Sequence, residues 1–396
     1  MKKILTSLPV RLLFAVIVGL LLGFWTSGSF GFISPSISKA VMNIVVTVNY
    51  TLGQLIFFCV PLIVIGFVAS SIAKLGADAS KLLGIALLLA YVSSIGAGFF
   101  STVTGYAIIP QLNIVPDTKA LQELPPILFK MEIPPVMSVM SALVLSITFG
   151  LFAVLTKAET TMKLLNEFQQ IILQLVIRVV IPVLPFFIGS SFCQLAYEGS
   201  MTRQLPVFLK IIVIVIIGHY IWLTVLYVLA SIYTRKNSWE VLRHYAPAYL
   251  TAIGTMSSAA TLPVALECAS KSKILRRDMV DFGIPLFANI HLCGSVLTEV
   301  FFALTVSQTL YGHLPPITVT ILFVFLLGLF AVAAPGVPGG TVIASLGLIS
   351  GVLGFDANGV ALVLTIFALQ DSFGTACNVT GDGALTLILT GYSERK

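Results

Sequence analysis

The chain has 396 residues, 58% of them hydrophobic and only 10% charged, with a mean hydropathy of +1.04. Soluble domains carry about 25% charged residues, so most of this surface faces something other than water. The net charge of +6 does not point to nucleic acid, because the basic residues are scattered between apolar segments.

Apolar runs of about 20 residues or more read as membrane spans. In chain order they fall near 9–26, 40–73, 81–105, 134–157, 160–196, 206–234, 277–306 and 357–391. The first run, Val10–Leu22, has no clear small-residue cleavage site after it and more spans follow, so it reads as a retained helix. Several runs exceed what a perpendicular helix needs, which implies tilt or ends that leave the bilayer. Segment 106–133, with Pro110, Pro116, Pro125, Pro126 and charges of both signs, reads as an external loop. With the N-terminus in the cytoplasm, Lys39, Lys119, Lys130, Arg203 and Lys210 fall outside and Arg178 lies within a span. The other Lys and Arg, including Lys2, Lys3, Arg235, Lys236 and Lys271 to Arg277, fall inside. That bias supports a multi-pass protein of the cell membrane with both termini cytoplasmic. The five cysteines stand singly in apolar contexts and read as reduced packing residues.

Two segments do not behave as ordinary spans. Residues 241–270 are interrupted by Ser257-Ser258-Ala259-Ala260-Thr261-Leu262-Pro263, and residues 318–352 carry two apolar arms around Ala334-Pro335-Gly336-Val337-Pro338-Gly339-Gly340. Backbone groups freed at the centre of an apolar segment must be satisfied by protein, ligand or trapped water. One reading is a kinked helix followed by a loop. The other is a pair of helical hairpins that enter and leave by the same side, the arrangement that marks a transporter's midplane site.

Ionisable residues are costly in such spans and mark function by default. Those lying deep are Arg178, His219, Glu299, Asp371 and Asp382, with His291 beside them. Asp371, Thr375, Asn378 and Asp382 stand at i, i+4, i+7 and i+11 in the last span, on one helix face. A stripe with two carboxylates and an amide must face the protein interior or a wet cavity. The plainer reading, a polar glue between helices, is weakened by the absence of an obvious basic partner. Broken hairpins add free N–H groups for anions and free carbonyls for alkali cations, and hard cations take oxygen ligands such as Asp382.

The SSAATLPV tip, the GVPGG tip and above all NVTGD after an aspartate resemble the hairpin tips and final helix of the sodium:dicarboxylate/amino-acid symporter family. That family includes archaeal aspartate transporters, glutamate carriers and neutral amino-acid exchangers. The match in order and spacing runs from about Ala158 to Leu389, and the first 150 residues match mainly in helix pattern. The resemblance implies an all-α integral membrane fold of the glutamate-transporter elevator type, with eight transmembrane helices plus two re-entrant helical hairpins, assembled as a homotrimer. Scaffold helices 1 and 2 would lie in 1–80 and helices 4 and 5 in 134–196. The transport domain would combine helix 3 at 81–105 with 206–396, which holds helix 6, hairpin 241–270, helix 7, hairpin 318–352 and helix 8. It further implies that Asp371 binds a substrate ammonium and Asn378 its α-carboxylate, with Ser257, Ser258, Val337 and Gly339 closing around it. Asp382 would be a sodium ligand, assisted by carbonyls near Phe287, His291 and Asn378. A second sodium site would use carbonyls near Asn289, Leu292, Ala331, Val332 and Ala334. Sodium ions are the coupling ions implied, and no organic cofactor is called for.

Three departures from the family pattern bear on substrate and ions. Gly374 stands where members that carry acidic substrates have an arginine, and glycine cannot replace bidentate carboxylate recognition. The distal pocket would then be lined by Phe373, Cys377, Ser295 and Cys293, beside the stripe residue Thr375. Cys293 replaces the aspartate of a further sodium site, so that site is expected to be absent. Glu299 falls at the proton-carrying glutamate of eukaryotic carriers, as a possible proton carrier or as a neutral packing residue. The expectation is sodium-coupled symport or exchange of a small neutral amino acid such as serine, alanine, threonine or cysteine. The alternative is a sodium- or proton-coupled dicarboxylate or acidic amino-acid symporter. An intramembrane enzyme is disfavoured because the four histidines are dispersed, and a channel because it needs a continuous polar pore. Lipid and the substrate are the expected partners, and nucleic acid is not.

Overall fold

The computed structural model describes residues 8–28, 34–70, 73, 81–112, 122–199, 201–334 and 339–395, and among them every regular element is helical. In chain order these are α1 (Leu8–Thr26), α2 (Pro35–Val64), α3 (Lys81–Ile108), α4 (Val139–Leu155), α5 (Glu159–Leu175), α6 (Ile181–Glu198) and α7 (Met201–Thr234). There follow the short α8 (Trp239–Leu242), α9 (Ala246–Thr255), α10 (Ser258–Ser270), α11 (Arg277–Ile290), α12 (Cys293–Val306), α13 (Ile317–Ala333), α14 (Gly340–Gly351) and α15 (Ala357–Glu394). The sequence sets several of these ends. Ser34 accepts from the Ile37 N–H ahead of Pro35, and Ser138 does the same for Ser141. Asp356 caps α15 through the Gly359 N–H, each a side-chain acceptor for a donor the helix leaves free.

Among the described residues, five helical stretches are long and apolar enough to cross a membrane: Pro35–Ala69, Lys81–Leu112, Glu159–Glu198, Leu209–Thr234 and Arg277–Tyr311. A sixth is added if α15, bent by 60° between Ala368 and Gln370, counts as one span. The remaining two expected spans contribute shorter apolar stretches, Phe14–Thr26 and Val144–Leu155. Phe14, Val103, Phe149, Phe186 and Ile232 are among many large apolar side chains left exposed on the outside. A soluble monomer rarely carries such an apolar exterior, and with this family of helices it marks an integral membrane protein.

The helices pack as two groups. In the first, α1 and α2 lie on α6, and α4 and α5 pack on the π-helical turn Ile65–Ala69 that follows Pro61 of α2. In the second, α12 lies between α3 and α15, α13 packs on α3, and α7, α9 and α11 pack on α15. α14 and α15 touch both groups. Helices in lipid associate through close backbone contact rather than hydrophobic expulsion, and α1 does this through Gly19 and Gly23, four residues apart. A Cβ on Gly19 would stand 2.1 Å from the Gly189 carbonyl oxygen of α6.

Both interrupted segments are helical hairpins: α9 packs on α10, and α13 on α14. The first turns at Met256, which is left-handed at φ 52°, and at Ser257, whose hydroxyl accepts from the Ala260 N–H at 3.2 Å. The tip of the second, 335–338, lies outside the described residues, and so does the expected contact Val337. Of the segment 106–133 read as a loop, residues 106–112 instead continue α3 and a following 3-10 turn (Ile109–Leu112), 122–133 have no regular structure, and 113–121 lie outside the described residues.

Candidate functional site

All four members of the α15 stripe are buried, with Asp371, Thr375, Asn378 and Asp382 each 5% exposed or less. The three strong hydrogen-bonding groups all meet broken elements, Asp371 the second hairpin and the other two the seventh span. Asp371 Oδ2 accepts from the Gly339 N–H at 2.7 Å. Gly339 has φ 72°, a left-handed backbone that favours glycine, and it stands at the start of α14. The carboxylate therefore sits at a helix N-terminus, where the dipole favours negative charge.

Asn378 meets the break in the seventh span. That break comes where His291 and Leu292 leave helical geometry between α11 and α12. Asn378 Oδ1 accepts from the Gly294 N–H at 2.7 Å and the Ser295 N–H at 3.3 Å, and its Nδ2 donates to Ser295 Oγ at 3.0 Å. Two backbone donors fix which amide atom is the oxygen. Of the two hydrogens on Nδ2, one remains for a ligand. Gly294 allows this, since a Cβ there would lie 2.5 Å from the Gly374 carbonyl oxygen and 2.6 Å from Cys377 Cβ.

Asp382 meets the same break from below. Its Oδ1 is 2.8 Å from His291 Nδ1, and His291 Nε2 is 2.8 Å from Ser93 Oγ of α3. An ionised carboxylate only accepts, so in the neutral ring Nδ1 carries the proton and Nε2 accepts from Ser93. The stripe read without a basic partner thus has an N–H donor at each acid: a histidine for Asp382 and a backbone amide for Asp371. Asp382 Oδ2 is buried with no partner among the described residues, an exposed lone pair of the kind a hard cation takes.

Glu299 is fully buried in α12, with Oε1 accepting from Ser345 of α14 and Oε2 without a partner among the described residues. His219 is held as an interior histidine, its Nε2 within 3.1 Å of the Gly294 carbonyl and 2.9 Å of Thr298 Oγ1. The Gly374 face has room: a Cβ there would find the Ser295 nitrogen at 3.5 Å, an ordinary contact.

The other sequence candidates are placed as follows. Ser258 is buried at the start of α10 and Ser257 caps it. Of the carbonyls read for sodium, Phe287 accepts from the His291 N–H, Leu292 from Val296 and Ala331 from Ala334, which leaves each a second lone pair. Asn289 turns its amide onto the Pro285 carbonyl at 2.8 Å and is exposed. Val332 and Ala334 close α13. Arg178 is exposed in the π-helical turn Val176–Val180 and donates to Gln174, away from the stripe. Sequence reading missed Ser93, Ser345 and Gln370. Ser93 and Ser345 bond His291 and Glu299, 198 and 46 residues away, so no spacing within one helix signals them.

Human neutral amino acid transporter B(0) is 26% identical over 265 residues, covering 65% of this chain and 48% of the relative. The Rattus norvegicus protein of the same name is 30% identical over 200 residues, covering 50% and 36%. Human excitatory amino acid transporter 1 is 25% identical over 202 residues, covering 50% and 36%. The chain thus spans less than half the length of the curated relatives it matches. The model of the sodium:dicarboxylate symporter family matches residues 8–392. With nearly its whole length covered, the chain belongs to the sodium:dicarboxylate symporter family.

Proposed function

We propose that the protein is a sodium-coupled secondary transporter that symports or exchanges a small neutral amino acid. The observation that carries the reading is the pairing of Asp371 with Gly374 on the wall of one buried site. A carboxylate whose donor among the described residues is the Gly339 N–H has lone pairs for an ammonium, worth about 1.5–3 kcal/mol as a charge-assisted bond. One turn on, Gly374 offers no cation to a second carboxylate. An acidic side chain placed there would be desolvated without a partner, at a cost of several kcal/mol. Asn378 takes the substrate's α-carboxylate through its remaining N–H. The hairpins, through Ser257, Ser258, Val337 and Gly339, cover it.

Sodium is the second cargo. Asp382 Oδ2 supplies an anionic oxygen, and carbonyls at Phe287, His291 and Asn378 complete a hard-cation shell. A second site draws on carbonyls at Asn289, Leu292, Ala331, Val332 and Ala334. Cys293, at the further site, supplies no oxygen. Substrate and sodium then tighten each other by the same factor. The first helix group is the scaffold, assembled as a trimer, and the second, with both re-entrant hairpins, slides as the transport domain. A relative named for neutral amino acids supports the substrate class. The similarity to an excitatory amino acid transporter keeps the acidic substrate as the second reading.

Competition uptake into proteoliposomes under a sodium gradient tests this. Serine, alanine, threonine or cysteine should outcompete aspartate by at least about tenfold, 1.4 kcal/mol. If aspartate or succinate outcompetes every neutral amino acid, the second reading stands in its place.

A further inference from the structure

Gln370 immediately precedes Asp371 and is 1% exposed, and neither its amide nitrogen nor its amide oxygen has a hydrogen-bond partner among the described residues. Buried amides are almost always bonded, so an orphan with both ends free calls for an explanation. Its place on α15 supplies one. Gln370, Gly374, Cys377 and Gly381 fall at i, i+4, i+7 and i+11, a face adjacent to the acid stripe. Its later members meet the N-terminal end of α12: Gly374 lies against Ser295, Cys377 against Gly294, and Gly381 against His291 and Cys293. Since α15 residue numbers rise as α12 numbers fall along this contact, Gln370 stands in the layer of Glu299. That carboxyl lies close enough to Asp371 for their charges to interact, and its Oε2 is also without a partner. Unused donors and acceptors therefore gather beside Asp371, one turn before Gly374, next to the position given above to the distal end of a bound amino acid.

We propose that Gln370 is the residue that reads the substrate side chain, by hydrogen-bonding a neutral polar group. A hydroxyl can donate to its Oε1 or accept from its Nε2, and a carboxamide can do both. A methyl group can do neither and leaves the amide desolvated. The transporter therefore selects for a hydrogen-bonding side chain as well as for a small one. This rests on the reading above, in which the ammonium sits on Asp371.

The test is sodium-dependent binding to the purified full-length protein, measured by calorimetry for the pairs serine and alanine, and threonine and valine. In each pair the hydroxyl-bearing member should bind at least about tenfold more tightly. Gln370→Met, of similar size but apolar, should bring each ratio close to one and leave alanine affinity within about threefold of wild type, which also reports that the site is intact. Gln370→Asn keeps the amide but withdraws it by one methylene. It should weaken serine selectively, and it decides the matter if the Met variant binds neither ligand. Unchanged ratios in the variants overturn the proposal and leave Gln370 bonded to an ordered water. A wild type without preference within the pairs overturns it too. A wild type that binds no amino acid at any sodium concentration removes the underlying transport reading, and this inference falls with it.

Discussion

At the α1–α6 crossing and at the α12–α15 crossing, glycine lets two backbones touch, and the contact is used differently in each. Gly19 and Gly23 lie against the Gly189 and Cys193 carbonyls so closely that a Cβ would stand 2.1 Å and 2.4 Å from their oxygens. The Ala15 and Ala196 methyls lie at that contact, and it yields dispersion between helices that lipid does not otherwise push together. Gly294 and Gly374 approach as closely, but Asn378, Ser295, His291 and Asp382 stand around them. There the close approach brings backbone N–H groups to side-chain acceptors where no bulk water can serve them. Close packing by glycine is therefore common to both crossings, and the function we propose rests on the polar groups that the second one encloses.

The largest effect should come from removing the charge at the functional crossing. Asp371→Asn is expected to weaken amino-acid binding by about 1.5–3 kcal/mol, roughly 10- to 150-fold. The melting temperature of the sodium-free protein should change little, because the amide oxygen still accepts from Gly339. Calorimetry returning wild-type affinity would refute the role given to Asp371.

Matched glycine substitutions separate the two crossings. Gly19→Val and Gly294→Val each force a side chain onto backbone or a helix-borne Cβ, which costs about 1–3 kcal/mol of stability. The Gly19→Val protein that stays folded should bind sodium and substrate as wild type does. Gly294→Val should lose binding as well, since it drives α12 off Asn378. Equal loss of binding in both variants would erase the distinction drawn here.

What could be read from the sequence follows the same division. The spans, the two hairpins and the acid stripe were legible because apolar length, Pro-Gly interruption and helical spacing are local properties of the chain. The residues at 371, 375, 378 and 382 are one face of one helix and announce themselves by spacing alone. The bond from His291 to Asp382 joins residues 91 apart, and Ser93 to His291 joins residues 198 apart. Such pairs are decided by how α3, α11 and α15 dock. The reading of the two acids as lacking a basic partner failed at Asp382 for this reason. Gln370 escaped notice because an amide in an apolar run is unremarkable until its burial and its lack of partners are known.

Specificity sharpens the comparison further, at a scale near 1.4 kcal/mol. Gly374 differs from Gly294 in that a Cβ there meets nothing nearer than 3.5 Å. Gly374→Ala should therefore fold and transport, with stability within about 0.5 kcal/mol of wild type, or slightly above it through lower unfolded-chain entropy. Gly374→Arg should raise the aspartate-to-serine preference by about tenfold or more through a guanidinium–carboxylate pair. Uptake competition in proteoliposomes checks both, and an arginine variant that transports serine with unaltered preference would place the substrate's distal end elsewhere.

The smallest expected effect lies outside the membrane, where a carboxylate has water as an alternative partner. Glu240 of α8 binds the turn after α10: its Oε2 accepts from the Ser272 hydroxyl and its Oε1 from the Lys273 N–H at 3.0 Å, with Arg243 at 3.5 Å and His244 at 3.6 Å. Partial burial pushes this carboxyl up, but the Ser272 and Lys273 donors and the two neighbouring bases together hold it below the ordinary glutamate value of 4.5. A depressed folded value means that the charged form is the one the fold favours. Its stabilisation is present in full above the unfolded value of about 4.5 and fades as pH falls through the folded one. Glu240→Gln removes the charge but keeps an acceptor, so the loss should be about 1 kcal/mol or less near neutrality. Thermal unfolding of both proteins in detergent from neutral pH downward should give a constant gap that closes below about pH 4.5. A gap that persists at the acid end would mean that Glu240 acts by packing, and that its charge contributes nothing to joining the hairpin to α8.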